Sequence, residues 1–541
     1  MIALPSGRRV SGGGCVEQFI NDRLSAWLFT LGSVAVTVGV LLHLPMFWMG
    51  RHMGFQLVGM PMDPEMIFGM GLIIAGVFFA AWGLLPKNVA AQIEASRHIS
   101  VAAPEDAQLG PAHWKVMVVL MVALIIDVMK PASLGFVMPG LKSEYGVDGA
   151  TAALLPFAAL SGTVVGSILW GIASDIYGRK ATILLSALMF VGTSICGAMP
   201  SLTWNIVMCF LMGAAAGGML PVSYALLAEI MPSRHRGWAL VLVGGLGSAG
   251  GYVAASAFAA TLEPIWSWRI LWLINLPTGL ILLLMGRFIP ESAKFLLARG
   301  RRAEAQAVMA RFGTRSHRHG AEEEDVDFVP RHIDREPRAG GIWRRGFRGR
   351  TAALTILALA WGIVNFGILL WLPAELVAHD VPMAAASRLI AQSALIAFPT
   401  VFLVALFYSR WSTKNSLLAA SGIVGVGLLG VMALDAVEGG TTAVIVLAFL
   451  IIGTNAMLAI LLPYSAESYP LHIRGRATGW IAACTKAGGL GAQALSIAAL
   501  VPPLGVAALF TVIPVACGLV LAWLFCAETR GIDLRAVDEA M

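Results

Sequence analysis

The sequence predicts an all-α, polytopic membrane protein with fourteen transmembrane helices. Three observations carry this: a very apolar composition, fourteen long apolar stretches, and a one-sided distribution of basic residues. Of 541 residues, 58% are hydrophobic and 13% charged, with a mean hydropathy of +0.79, whereas a soluble domain is about 25% charged. Water cannot solvate so apolar a surface. A helix crosses the roughly 30 Å hydrocarbon layer with about 20 mostly apolar residues, and such stretches lie near 24-49, 66-86, 115-139, 150-174, 180-199, 203-231, 238-262, 268-289, 350-377, 386-409, 414-434, 441-470, 475-500 and 503-526. None shows the apolar/polar alternation of a barrel strand.

The first stretch follows Arg8, Arg9 and Arg23 but is too long for the h-region of a signal peptide, so it reads as a retained helix. Basic residues in short loops stay in the cytoplasm. With the N-terminus inside, only Arg51, Lys142, Arg269 and Arg388 fall on the outer side, and Lys130 and Lys486 fall within spans; the remaining 31 of the 37 Lys and Arg are cytoplasmic. Missing one early span would scramble that asymmetry. The expected location is the inner (plasma) membrane, with both termini cytoplasmic and the lipid bilayer as the principal surroundings. Sidedness also explains the pI near 9.1 without a nucleic-acid partner.

Four segments follow: 1-114 with two extra helices, a six-helix bundle at 115-289, a linker at 290-350, and a second six-helix bundle with a short tail at 351-541. The linker carries fourteen Lys or Arg, the acidic run Glu322, Glu323, Glu324, Asp325 and Asp327, and His317 and His319 without Cys partners. It reads as a solvated connection with short surface helices. The six cysteines show no CxxC pair and suggest neither a disulfide framework nor a metal site. An internal repeat supports the two bundles: Ala228-Glu229, Pro232, Arg236-Gly237 and Ala239 recur as Ala466-Glu467, Pro470, Arg474-Gly475 and Ala477, six of twelve positions at an offset of 238.

Between the second and third bundle helices stands Gly171-Ile172-Ala173-Ser174-Asp175-Ile176-Tyr177-Gly178-Arg179-Lys180. It resembles the GxxxDxxGRK loop of the major facilitator superfamily. Gly217-Gly218 and Pro221-Val222, followed by Glu229, Pro232 and Arg236, are similar to the fourth-helix segment of that family's sugar, organic-ion and metabolite-proton symporter branch. Pro290-Glu291-Ser292 and Glu528-Thr529-Arg530-Gly531 are similar to its PESPR and PETKG endings. The resemblance spans residues 115-531 and implies alternating access by a monomeric transport unit. It also implies that Asp175, Arg179, Lys180, Glu229, Arg236, Glu291, Glu467, Arg474 and Glu528 form gating charge networks. The second loop copy departs from the pattern as Ser409-Arg410-Trp411-Ser412-Thr413-Lys414; Cys209 stands where many relatives carry Arg, and Ala527 where they carry Pro.

The best site candidates are charges inside the membrane. Asp127 lies twelve residues past Lys115, about 18 Å along a helix, and Lys130 follows one turn later. Lys486 lies ten residues past Arg476, about 15 Å deep. Buried charges of this kind cost about 2.5–3.5 kcal/mol each and face a partner or a watery cavity. One reading is an ion pair of Asp127 with Lys130 or Lys486 that only holds helices together. The functional reading counts charge: one acid against two lysines is neutralised by a bound monoanion, and a proton on Asp127 frees a lysine for it. The resemblance agrees, because symporters of this branch often couple protons through a first-helix acid. Trp361, Asn365 and Asn455 lie at similar depth and can orient substrate or simply join helices.

These features favour proton-coupled symport of a small organic anion or polar metabolite. Proton-driven efflux of amphiphilic compounds and a non-transporting nutrient sensor are the alternatives. Val241-Leu242-Val243-Gly244-Gly245-Leu246-Gly247-Ser248-Ala249-Gly250 fits GxGxxG, but the βαβ context a dinucleotide needs is missing. It also partly matches the GPxxGG motif of proton-drug antiporters, with Gly247 at the proline position. No HExxH, GxSxG or GxxxxGK segment occurs, so no enzyme activity, cofactor or ATP-driven pumping is expected.

Overall fold

A computed structural model describes residues 13–84, 99–102, 108–318, 342–433, 440–469 and 471–530. Among these, thirteen helices are long and apolar enough to cross a membrane. The one remaining predicted span, 475-500, is a helix of 27 residues, Leu471–Ile497. It is long enough to cross, but Thr485, Lys486 and Gln493 interrupt its apolar run, and it is not among the thirteen.

The chain opens with a hairpin of α1 (Gly13–Leu41) and α3 (Pro64–Leu84), joined through α2 (Leu44–Met49). Lipid gives no hydrophobic force between helices, so close packing must hold such a pair together. At Gly39 an added Cβ would lie 2.6 Å from the Gly69 carbonyl, and at Gly69 one would lie 2.7 Å from that of Gly39. Only glycine permits that approach.

A first set of helices follows: α4 (Pro111–Tyr145), α5 (Gly149–Ala152), α6 (Leu154–Tyr177), α7 (Arg179–Thr193), α8 (Leu202–Ala216), α9 (Met219–Ile230), α10 (Ser233–Trp266), α11 (Ile270–Leu273) and α12 (Asn275–Met285). The hairpin packs on α7. Two short helices, α13 (Ala293–Ala298) and α14 (Arg302–Phe312), then run beneath this set, where buried Phe312 meets His113 of α4 edge to face at 5.3 Å. The acidic run Glu322–Asp327 and His319 lie outside the described residues. One short ribbon departs from the helical plan: β1 (Ile99–Ala102) pairs antiparallel with β2 (Arg315–Arg318), Ile99 opposite Arg318. It joins the segment after the hairpin to the linker.

The second set comprises α15 (Arg348–Ile363), a π-helical turn (Val364–Ile368), α16 (Leu369–Ala378), α17 (Met383–Ala397), α18 (Thr400–Arg410), α19 (Thr413–Met432), α20 (Gly440–Ser468), α21 (Leu471–Ile497) and α22 (Leu504–Phe525). The sets meet where α10 packs on α17, α18 and α20, α4 on α16, and α6 on α21. Contacts close this interface toward both ends. At one, Gly135 lies against the Leu370 backbone; at the other, a Cβ on Gly237 would come within 2.6 Å of Glu467 Oε1. The second end carries Arg179, Lys180, Lys414 and Arg530 and is called the basic face below.

On the opposite face, Arg269, read from sequence as an outer-side charge, is wholly buried with Glu144 at 2.7 Å. An ion pair out of water survives only when its remaining hydrogen-bonding groups are satisfied. Here they are: Arg269 also donates to the Met199 carbonyl at 2.7 Å, and Glu144 accepts from the Trp268 indole at 2.9 Å. The backbone N–H groups of Leu57 (2.7 Å) and Val58 (3.3 Å), in the hairpin's connecting loop, complete the shell of Glu144. Phe55 of that loop packs on Phe47 and Trp266. The extra hairpin is thereby latched to the first set.

Candidate functional site

Two groups of polar residues stand out, one at mid-membrane and one on the basic face. In the first, Asp127 on α4 is only 5% exposed, its Oδ1 is buried without a hydrogen-bond partner, and it lies within electrostatic range of Lys486 and Lys130. Among the described residues neither lysine forms a salt bridge with it. Lys130 turns into the first set, where its Nζ donates to the Phe190 carbonyl at 3.1 Å and lies 3.5 Å from Thr193 Oγ1, 3.4 Å above the Phe190 ring. Lys486 on α21 is half-buried, 5.3 Å over the Phe366 ring.

Of the other residues expected here, Asn455 bridges the two sets by accepting from Ser248 Oγ at 2.8 Å, while its Nδ2 is buried without a partner. Trp361 has its indole N–H committed to the Thr454 carbonyl at 2.9 Å, with its ring edge-on to Phe366. Asn365 is half-buried within the π-helical turn. Such turns widen a helix by one residue and recur at functional sites.

The structure adds residues that sequence reasoning passed over. The Tyr252 hydroxyl on α10 is buried without a partner, beside Phe136 at 6.4 Å. Gln493 donates to the Phe366 carbonyl, and its Oε1 is unpartnered. Buried polar atoms are almost always bonded, so the unpartnered atoms of Asp127, Tyr252, Asn455 and Gln493 are groups that a proton, water or ligand can satisfy. A tyrosine eighteen residues past Arg234, in an otherwise small-residue run, was the available signal for Tyr252.

On the basic face, Glu291 Oε1 accepts three backbone N–H groups, from Arg179 (2.7 Å), Ser292 (2.9 Å) and Lys180 (3.2 Å), and so caps the N-terminus of α7. Gly178, at φ +92°, makes the turn into α7 against this carboxylate. The Arg179 side chain reaches Glu229 at 3.3 Å and Ser174 Oγ. Burial raises the Glu291 carboxyl above its ordinary range, although the backbone donors oppose it.

In the second set, Glu528 caps α19 by accepting from Thr413 N at 2.9 Å, Thr413 Oγ1 at 2.6 Å and Ser412 Oγ. Burial works against its charge, but these hydroxyl and backbone donors prevail and bring it down to about 2. Glu467 accepts from Tyr408 OH at 2.6 Å and Thr529 Oγ1 at 2.9 Å. Arg236 is half-buried. The side chains of Asp175 and Arg474 lie outside the described residues. Among the described residues no group of three His, Cys, Asp or Glu could hold a metal ion.

The sequence profile of the Major Facilitator Superfamily matches residues 118–493. Among curated proteins, the chain is 25% identical to a niacin transporter of Acinetobacter baylyi, covering 80% of this chain and 98% of that one. It is 31% identical to a 4-hydroxybenzoate transporter of the same organism over 40% of this chain and 49% of the relative, and 28% identical to its benzoate transport protein over 38% and 46%. A solved proton:xylose symporter shares the fold with a TM-score of 0.60 at 16% identity, over 79% of this chain and 98% of that one.

Proposed function

This chain belongs to the major facilitator superfamily, and from that premise we propose that it is a secondary carrier coupling proton movement to uptake of a small organic anion, an aromatic monocarboxylate in particular. The observation that carries this is Asp127, a buried carboxylate with an unpartnered oxygen and a lysine on either side of the interface between the helix sets. An unpaired carboxylate in hydrocarbon is expensive, so protonation relieves it, and a protonated Asp127 leaves Lys486 uncompensated and ready for an anion. Lys130, held by Phe190 and Thr193, supports the positive field from within the first set. Phe366 offers a ring face beside that charge, and Tyr252, Asn365, Asn455 and Trp361 orient the ligand. The niacin, 4-hydroxybenzoate and benzoate transporters among the relatives handle compounds of this shape, which supports the choice of class.

In this reading residues 115-289 and 351-541 rock about the cluster, the linker 290-350 joins them, and the protein works as a monomeric unit. The basic face lies in the cytoplasm with both termini, in the inner membrane. The carboxylate networks of Glu229, Glu291, Glu467 and Glu528, with Asp175, Arg179, Lys180, Arg236 and Arg474, brace that face and break during turnover.

Proteoliposomes given radiolabelled benzoate or nicotinate test the reading. Wild type accumulates label under an inward proton gradient. Asp127→Asn, which mimics a permanently protonated acid, retains exchange but loses accumulation; full accumulation by this variant removes Asp127 as the coupling group. Lys486→Gln weakens carboxylate binding by about 2–3 kcal/mol, the scale of a lost charged hydrogen bond, and weakens the neutral amide analogue much less. Equal weakening of both, or recovery of an unstable Lys486→Gln by Asp127→Asn, reduces the lysine to a structural ion pair.

A further inference from the structure

The repeat places two loop corners in equivalent positions on the basic face, and the second has lost the acid of the first and gained a cation. Aligning Arg179-Lys180 with Thr413-Lys414, both at helix starts, sets Ser409 where the first copy has Asp175 and Arg410 where it has Ile176. A surface cleft of about 590 Å³ opens there, lined by Leu406, Phe407, Arg410 and Trp411. Its apolar wall faces outward: Leu406 is 45% exposed, Phe407 49% and Trp411 55%, and the two rings meet edge to face at 6.1 Å.

Two more cations stand close by. Arg530 is fastened to the loop through the carbonyls of Arg410 and Trp411, and Lys414 donates to the Trp523 carbonyl at 2.7 Å. The neighbouring acid, Glu528, is turned to Ser412 and Thr413, and among the described residues none engages the Arg410 guanidinium. A cation at the end of a span, beside exposed aromatic rings at the level of the lipid headgroups, is chemistry matched to an amphiphilic anion.

We propose that this cleft seats one anionic phospholipid from the leaflet at the basic face. The phosphate sits against Arg410, with Arg530 and Lys414 adding to the field, and an acyl chain lies over Leu406, Phe407 and Trp411. The lipid then braces the corner where the loop has lost the acid of its counterpart. The occupant is a membrane lipid, since a free anion gains nothing from the aromatic wall.

Thermal unfolding of the full chain in phosphatidylcholine nanodiscs, with and without phosphatidylglycerol, provides the test. Phosphatidylglycerol raises the melting temperature of wild type; Arg410→Gln and Trp411→Ala each lose most of that rise, and Arg410→Lys keeps more of it than Arg410→Gln. Arg388→Gln, a basic residue exposed on the opposite face, keeps it all. Native mass spectrometry then shows one phosphatidylglycerol retained by wild type and lost from Arg410→Gln. An equal rise in wild type and Arg410→Gln overturns the site. An equal rise from glycerol phosphate alone assigns the cleft to a free anion and overturns it too. No dependence on lipid charge, with Arg410→Gln destabilised in every disc, gives Arg410 to the protein's own acidic residues.

Discussion

Glu291 and Glu528 occupy equivalent places in the two helix sets, each capping the start of a helix from the far end of its set, yet they solve the problem differently. Glu291 puts all three of its backbone bonds on one oxygen and sits deep enough for burial to raise its carboxyl. Glu528 is more open and divides its bonds between both oxygens, with two hydroxyls among the donors, and its carboxyl falls to about 2. Of the partner acids, Glu229 takes the Arg179 guanidinium, and Glu467 has two hydroxyls among its donors. The first latch thus carries the Arg179–Glu229 ion pair, and the second brings the hydroxyls of Tyr408 and Thr529 to Glu467. The duplicated carboxylates are kept while their donors have diverged, because hydroxyls and backbone N–H groups can also satisfy an acid.

Arg179→Thr, which gives the first corner the second corner's chemistry, has the largest expected effect. Glu229 loses a charged hydrogen bond of about 1.5–3 kcal/mol, and turnover falls roughly tenfold or more while substrate affinity stays within a few-fold. Transport kinetics check this; a normal maximal rate would show the latches to be interchangeable.

A smaller contrast separates Glu291→Gln from Glu528→Gln. Gln keeps one acceptor oxygen, which suffices for all three bonds of Glu291 and spares a buried charge, so unfolding at pH 7 is unchanged or shifted upward. Glu528→Gln cannot keep both sides and loses about 1 kcal/mol. Equal losses in the two variants would erase the distinction between the caps.

The pH dependence has the same polarity and is smaller again. Glu291 has a raised folded value, so its contribution is fully present below its ordinary 4.5 and lost as pH rises through the folded value. Glu528 contributes above 4.5 and loses that contribution as pH falls toward about 2. Hydrogen exchange, corrected for intrinsic rates, should show the start of α7 gaining protection as pH falls toward 4.5 while the start of α19 holds until below 4.5. Parallel behaviour would contradict the assignment. Tyr408→Phe, removing one neutral donor from Glu467, costs about 0.5–1.5 kcal/mol at most and changes turnover less than Arg179→Thr does.

Much of this architecture was legible in the residues because a bilayer demands long apolar helices and the loop charges report their order. The offset of 238 led directly to Glu229 and Glu467. Position along a helix did not reveal direction: Lys130 lies three residues past Asp127, yet its long side chain reaches a carbonyl of α7. The Glu144–Arg269 pair spans 125 positions, and nothing local announces that Arg269 is buried. The π-helical turn at Val364–Ile368 and the unpartnered Tyr252 hydroxyl depend on neighbouring helices, which no single segment encodes.

The latch at Glu144 also orders the birth of the molecule. Translation delivers the N-terminus first, so the hairpin enters the bilayer before its anchor exists: Leu57 waits 87 residues for Glu144, which waits a further 125 for Arg269. Until α7 arrives the hairpin persists on its own glycine-lined seam, and until Arg269 arrives an unpaired Glu144 is tolerable only while it remains near water. Release of α10 and Arg269 from the insertion machinery is thus the moment at which the buried ion pair closes, and a ribosome stalled before Arg269 would hold a hairpin seated on α7 with its latch still open.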